Sequence, residues 1–557
     1  MTKALIISAR CVSAALIFAT AFLLTEAKGF AQGNGPCPRF PVGSPIVQPQ
    51  DLFSQHSVLQ VNFTYQTTVD QNGNTLFCFV TENGTQSPTL HVRPGDRLRI
   101  KLTNNVPAPT AAASAEMAAM PGMTISGPAS SACGAVTMTA SSVNIHYHGT
   151  NTPPTCHQDE VIHTMINSGE TFQYDVQFPL DEPPGLYWYH PHIHGVSEAA
   201  VLGGASGALI VDGIQNINPE VAGLAQQVLV IRDNLVPGNP TPGGNIPSWD
   251  VSLNYVPVPS PVFSPAVVQM KPTEKQLWRV LNASADTIID LQLQYDGTAQ
   301  PLEVVALDGV PTGSQDGTSR GRRLAETDIL LAPAARAEFI VTGPSSTVKN
   351  ATLMTLNVDT GPDGDNDPTR PLATVLASDT APEPPVTVPY AFEAPHRQRF
   401  VGLDREKPTA ERALYFSEVL SDPNDPNSPT NFYITVDGQT PALFSPDNPP
   451  AIVTTQGAVE DWTIENRALE NHEFHIHQIH FLVLEQNGVP VNNGQYLDTV
   501  QIPYWSGTGP YPSVKVRMDF RGPLVGDFVY HCHILGHEDS GMMAIIRVKP
   551  RPVRGRH

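Results

Sequence analysis

From Phe528 to Met543 the chain reads FVYHCHILGHEDSGMM, where His531, Cys532 and His533 are consecutive and His537 and Met542 follow. In an extended backbone successive side chains point to opposite faces, so His531 and His533 look one way and Cys532 the other. One short segment can therefore serve two sites. A thiolate, two imidazoles and a weak thioether form the ligand set of an electron-transfer copper of the blue type. Cys532, His537 and Met542 supply three of those four ligands. Zinc also takes Cys and His, but a lone thiolate with a thioether is poor zinc chemistry, which ranks copper first.

An internal match extends this chemistry. GLYWYHPHIHG from Gly185 aligns without gaps on GDFVYHCHILG from Gly526, so His190 answers His531, His192 answers His533, and Pro191 stands where Cys532 does. NIHYHG likewise sets His146 and His148 opposite His475 and His477 of EFHIHQ. Each of these four His-X-His pairs puts two imidazoles on one face of a strand, which is half of a metal pocket. One such pair alone is ordinary surface sequence. Four related by duplication, inside apolar strands such as LYWYHPH and DFVYHCH, point to eight imidazoles at an interface between two copies of one design. His472, three residues before His475, is the candidate fourth ligand on the Cys532 side. The stretch from Gly213 to Pro395 contains no His and has no imidazole for a metal.

The elements that must hold these residues are strands. With 54 prolines, 42 glycines and many short apolar runs, the chain favours strands and turns over long helices. A turn followed by an alternating strand ending in Asn occurs three times, from Pro94 to Asn104, Pro272 to Asn282 and Gln456 to Asn466, at the same spacing. The copies lie a domain length apart, which predicts three tandem β-sandwich domains. The runs GALIVDG (207–213), AEFIVTGP (337–344) and MAIIRVKP (543–550) are read as the closing strands of the three. The Pro-rich segment from Asp379 to Pro395 is the clearest linker. The expected division is 32–213, 214–378 and 396–550.

Lys3 and Arg10, an apolar run from Cys11 to Leu24 and small residues up to Ala31 read as a signal peptide over 1–31. No stretch reaches the roughly 20 apolar residues of a spanning helix, so an exported protein without a transmembrane anchor is expected, periplasmic or extracellular. The net charge of −21 disfavours nucleic acid and anionic membrane as partners. Of the six cysteines, Cys11 lies in the signal segment and Cys532 is set aside for metal. Cys37, Cys78, Cys133 and Cys156 then read as two disulfides; three connectivities are open, with Cys37–Cys78 and Cys133–Cys156 preferred.

These residues resemble the four copper motifs of the three-domain multicopper oxidases, the family of laccases, bilirubin oxidases, ascorbate oxidases and bacterial cuprous oxidases. The family patterns HxHG, HxH, HxxHxH and HCHxxxHxxxxM are matched by His146–Gly149, His190–His192, His472–His477 and His531–Met542. The resemblance implies cupredoxin-like Greek-key β-sandwiches and four copper ions. It gives type 1 copper to His472, Cys532, His537 and axial Met542, and type 2 to His146 and His475. Type 3 takes His148, His190, His192, His477, His531 and His533. It implies one-electron oxidation of a phenolic or similar reductant coupled to reduction of O2 to water, with Cu(I) or Fe(II) as the second substrate class. Asp159 resembles the laccase carboxylate near type 2 copper, with Glu160 its rival, and Glu538 resembles the acid that bacterial members place beside the type 3 pair; both are read as proton relays. A non-catalytic copper-sequestering protein would not need Cys532 with its flanking histidines, and a copper nitrite reductase would lack the full type 3 set.

Two positions depart from the family pattern: Glu473 stands where Pro is common, and Tyr147 where Trp is common. His157, His163, His194 and His480 exceed the ligand count and are read as supporting residues. The segment from Pro107 to Ala140 is read as an Ala-rich insertion, with Met117, Met120, Met123 and Met138 as alternative soft ligands for Cu(I).

Overall fold

The computed structural model describes residues 35–110, 133, 137–236, 246–313, 321–385, 399–425, 428–491 and 494–552. The signal segment 1–31 and Met117, Met120 and Met123 lie outside the described residues, as does most of the linker to Pro395. No described helix is long and apolar enough to cross a membrane.

The three turn-strand-Asn copies become strands Arg97–Asn104, Lys275–Asn282 and Val459–Asn466. Each runs parallel to a longer strand before it, Val58–Val69, Ala225–Leu235 and Ala410–Leu420. Each runs antiparallel to one after it, Thr171–Gln177, Arg336–Thr342 and Ser513–Asp519. The terminal Asn explains itself. Asn104 Nδ2 donates to Ser141 O and Ile166 O, Asn282 Nδ2 to Thr287 O and Leu331 O, and Asn466 Nδ2 to Glu470 O and Ile502 O, all between 2.7 and 3.1 Å. In every copy the Asn Oδ1 also accepts from the backbone N–H two residues on. One buried amide thus ties the strand's end to two loops, and a residue without that donor and acceptor pair would leave them unpaired.

Each of these sheets packs on a second one. The partner sheets run in the order 51–53, 89–92, 207–211, 185–190, 146–148 in the first sandwich and 452–455, 543–549, 526–532, 472–476, 499–502 in the third. The middle one is built on 266–270, 370–377, 351–356 and 289–295. Apolar side chains from both sheets fill each core, around Phe63 and Tyr174, Trp278 and Phe339, and Trp462 and Phe474. The architecture is all-β, of the cupredoxin-like kind.

The register corrects one expectation. Gly207–Val211 and Met543–Lys549 are equivalent, each parallel to a short strand, Thr89–Val92 and Ile452–Thr455. In the middle sandwich that place belongs to Arg370–Ala377, parallel to Ala266–Met270. The run AEFIVTGP instead pairs with the Asn strand. Both are buried β-branched runs, and composition alone does not say which sheet a run joins.

The sandwiches share apolar seams. Leu186 and Trp188 of the first meet Val228 and Leu281 of the second, Val310 of the second meets Leu403 and Leu482 of the third, and Val201, Ala285 and Leu535 meet where all three touch. The preferred disulfide pairing is present, Cys37–Cys78 and Cys133–Cys156. Cys37–Cys78 spans 41 residues of sequence, and loss of a loop closure of this size is worth about 2–4 kcal/mol. The double variant Cys37→Ser/Cys78→Ser is expected to unfold at correspondingly lower denaturant under non-reducing conditions. An unchanged midpoint would mean that the bridge does not stabilise the fold.

Candidate metal centres

His146 and His148 lie on a three-residue strand whose partner is Gly185–His190, with His146 opposite His190. His475 lies opposite His531, and Phe474 opposite Cys532, where His472–Ile476 pairs with Gly526–Cys532. His192, His477 and His533 follow the ends of their strands. The strand alternation therefore has its expected result: Cys532 enters the third core, while His531 and His533, their rings 5.3 Å apart, face the first sandwich.

The eight paired imidazoles meet in one cluster. His146 stacks on His477 at 3.8 Å and His148 on His475 at 4.0 Å, while His192 lies 5.1 Å from His531 and His190 5.5 Å from His533. All eight are buried. Among the described residues, His146 Nε2, His148 Nδ1, His190 Nε2, His475 Nε2, His477 Nδ1 and both ring nitrogens of His533 have no hydrogen-bond partner. Burial first, and then the neighbouring rings, hold His148, His190, His475, His477 and His533 well below the usual imidazole range, so they are neutral with free lone pairs. Inward lone pairs with no protein donor fit metal ions. Within the cluster, His146/His148/His190, His146/His475/His477 and His192/His477/His531 each bring their ligand atoms within 4.8 Å of one another.

The outward nitrogens are tied to the scaffold. His146 Nδ1 donates to Asp159 Oδ1 at 3.0 Å, and Asp159 Oδ2 accepts from Gln478 Nε2 at 2.7 Å. Its rival Glu160 turns instead to His163 and Thr164. His190 Nδ1 donates to Pro191 O, and His475 Nδ1 to Asp498 O, both at 2.8 Å. His148 Nε2 donates to Asp498 Oδ1 at 3.1 Å. Asp498 was not anticipated from the sequence, nor was its counter-ion. Arg336, from the sandwich without histidines, grips both Asp498 oxygens at 2.7 and 2.5 Å. Asp308 holds the Arg336 N–H at 3.0 Å and the Thr499 hydroxyl at 2.9 Å, and His480, one of the surplus histidines, bonds Asp308 O at 2.9 Å. The available signal was a charged residue opening each apolar strand, ARAEFIV and DTVQI.

Glu538 is fully buried beside the cluster, with Oε2 3.0 Å from His531 Nδ1, which itself donates to Cys532 O at 2.8 Å. Burial acts to raise its pKa, but the His192 and His531 rings outweigh that and hold it well below the usual carboxylate range. Its helix, Leu535–Asp539, is clasped from both other sandwiches. Leu535 N–H donates to Ala285 O at 2.9 Å and Gly536 N–H to Asp286 Oδ1 at 3.0 Å, while Asp539 accepts from Gly195 and Glu198 N–H at 2.6 and 2.9 Å.

The second centre joins His472 Nδ1, His537 Nδ1 and Cys532 Sγ, with the two nitrogens 3.1 Å apart and 3.6 and 3.7 Å from the sulfur. Met542 is buried in the same core cluster, and its carbonyl accepts from Cys532 N–H at 3.1 Å. Burial would raise the thiol's pKa, but hydrogen bonds with His472 and His537 outweigh it and bring it down to about 6. Glu473, the departure noted above, gives its backbone N–H to Cys532 Sγ at 3.4 Å and buries its own carboxyl. Two acids missed in the sequence approach from the surface: Glu418 Oε1 lies 2.8 Å from His472 Nε2, and Glu470 Oε2 3.5 Å from His537 Nε2. Of the remaining surplus histidines, His194 is buried edge-on against Phe444 and His157 stacks on Phe172. Met138 packs with Met165 and Ile193.

Comparison with known proteins agrees with this geometry. Residues 136–216 and 423–552 each match multicopper oxidase domain families. A multicopper oxidase of Staphylococcus haemolyticus is 22% identical over 493 residues, covering 87% of this chain and 84% of that one. A laccase of Bacillus subtilis is 24% identical over 422 residues, covering 68% and 73%. The structure of a Campylobacter jejuni multicopper oxidase, described as a metallo-oxidase, superposes with a TM-score of 0.63 at 21% identity, covering 92% of this chain and 96% of that one.

The Arg336–Asp498 clamp makes a prediction. Orienting partners of this kind are typically worth 10- to 100-fold in metal affinity. Asp498→Ala is therefore expected to weaken metal retention by the eight-histidine cluster by roughly that factor, read by metal analysis after dialysis. Full copper retention would show that Asp498 does not position the cluster.

Proposed function

We infer, for a chain that belongs to the laccase-like multicopper oxidase family, that its copper-dependent oxidation of a reducing substrate by O2 is divided between the two centres. His472, Cys532 and His537 with Met542 hold a type 1 copper. His146 and His475 hold type 2, and His148, His190, His192, His477, His531 and His533 hold the type 3 pair. Bound copper supplies one-electron redox chemistry and the activation of O2.

The observation carrying this reading is the placement of Cys532. Its Sγ converges with two imidazoles on one side, while the residues covalently attached to it enter the cluster on the other. The His531 ring also bonds the Cys532 carbonyl, which adds a short path between the centres. Asp159 and Glu538 handle protons. Asp159 touches His146, and Glu538 places Oε2 3.0 Å from His531 Nδ1 and Oε1 3.6 Å from His192 Nε2. The chain is proposed to be exported after removal of 1–31, with its units dividing at 32–213, 214–378 and 396–550.

An organic, phenol-like reductant is the first reading of the substrate. A metal cation is the second, favoured by Glu418 and Glu470, whose side chains are 14% and 12% exposed beside the type 1 histidines. Burial, then the charge of Glu470, pushes Glu418 up to about 8, so an approaching cation would displace a proton as it bound.

Two outcomes are expected. In stopped-flow experiments Cys532→Ser is colourless and inactive, whereas Glu538→Gln and Asp159→Asn keep anaerobic reduction of the blue copper and slow reoxidation by O2 about 100-fold, the usual size of a proton-transfer contribution. Equal losses in both half-reactions would count against the relay. In a panel of phenols, Cu(I) and Fe(II), Glu418→Gln raises KM for the metal ions alone if a cation is the substrate. Unchanged metal-ion kinetics would leave the organic reading standing.

A further inference from the structure

His477 is followed by Gln478 at φ 59, and the Ile479 N–H reaches back to His477 O at 2.8 Å, which closes a three-residue turn on the glutamine. Such turns are rare, and positive φ is costly for any residue that carries a Cβ. The duplicated copy shows the usual solution. NIHYHG aligned on EFHIHQ sets Gly149 at the place of Gln478, and Gly149 has φ 81. The backbone therefore leaves the second histidine through positive φ in both sandwiches, which glycine does freely, yet the third sandwich keeps a glutamine there. A residue held against its own preference points to a side chain that is needed.

The Gln478 side chain is buried and crosses to the first sandwich, where its Nε2 donates to Asp159 Oδ2 at 2.7 Å. Asp159 Oδ1 takes the His146 Nδ1–H at 3.0 Å and the Tyr147 N–H at 3.1 Å. His146 in turn stacks on His477 at 3.8 Å. The contacts make a closed circuit from His477 through its neighbour Gln478, then Asp159 and His146, back to His477. Two sandwiches meet in that circuit, and it holds one facing pair of imidazoles from both sides. The other aspartate of the cluster is held differently. Asp498 takes its donors from Arg336, and a Cβ on Gly149 would collide with Arg336 Nη2 and Asp498 Oδ2. The position after the second histidine is thus left empty in the first sandwich, where that clamp needs the room, and filled in the third, where Asp159 needs a donor.

We propose that Gln478 is a positioning residue of the histidine cluster. Acting through Asp159, its amide sets the ring plane of His146 and keeps that ring's proton on Nδ1, so that Nε2 turns inward to the metal. The inference rests on the reading of His146 as a copper ligand.

The test compares Gln478→Gly, Gln478→Leu and Asp159→Ala in the full chain. Gln478→Gly installs the residue that the turn prefers, so the chain should fold, while copper retained after dialysis against a chelator falls about tenfold, the lower end of the loss for an orienting partner. Gln478→Leu keeps the bulk without the donor and should lose as much, which separates the hydrogen bond from packing. In both variants the paramagnetic resonance spectrum of the type 2 copper should change its hyperfine splitting. Combined with Asp159→Ala, neither substitution should cost more, because Gln478 acts through that carboxylate. Full copper retention by Gln478→Gly beside a loss in Asp159→Ala, or losses that add in full, would overturn the proposal alone. An Asp159→Ala protein that keeps all its copper would overturn the reading of His146 with it. If Gln478→Leu does not fold, Gln478→Gly and its combination with Asp159→Ala decide.

Discussion

Eight imidazoles cannot be packed against one another in a dry interface unless something other than water takes their lone pairs. Burial keeps five of these rings neutral by direct effect, and the protein withholds donors from their inward nitrogens. Much else follows from that demand. The rings must come from two sandwiches, because a single strand edge offers only two per face. The two sandwiches must meet at a fixed distance, and the outward nitrogens must be anchored so that each ring presents the correct atom.

The sandwich without histidines contributes to this fixation. Arg336 crosses from it to Asp498 of the third sandwich, and Asp498 holds a ring from the first. Three units are thereby joined through one carboxylate. A buried ion pair of this kind is weak evidence for stability in itself, since desolvation opposes it, but removal of either partner strands the other charge. Its value lies in geometry.

How far the sequence predicted this depends on the distance over which each pattern acts. The His-X-His pairs, the thiolate between two histidines and the repeated Asn were legible because period-two alternation and duplication are local signals. The disulfide pairing was the preferred one of three. Asp498, Arg336, Glu418 and Glu470 were not legible. They reach the centres across 162 residues in one case, Arg336 to Asp498, and 54 in another, Glu418 to His472, and no short motif marks them. The strand Arg336–Thr342 was assigned to the wrong sheet because buried strands of both sheets share one composition.

The short helix carrying His537 and Glu538 is held by Ala285, Asp286, Gly195 and Glu198, which belong to the other two sandwiches. A third sandwich released by proteolysis, or met during synthesis before its neighbours have docked, lacks those clasps. His537 is then held beside Cys532 only by contacts within the third sandwich, its stack on Phe432 and the carboxylate of Glu470. On the proposed type 1 assignment, acquisition of blue colour would be a quality-control signal for the whole polypeptide, reporting that all three units have found one another.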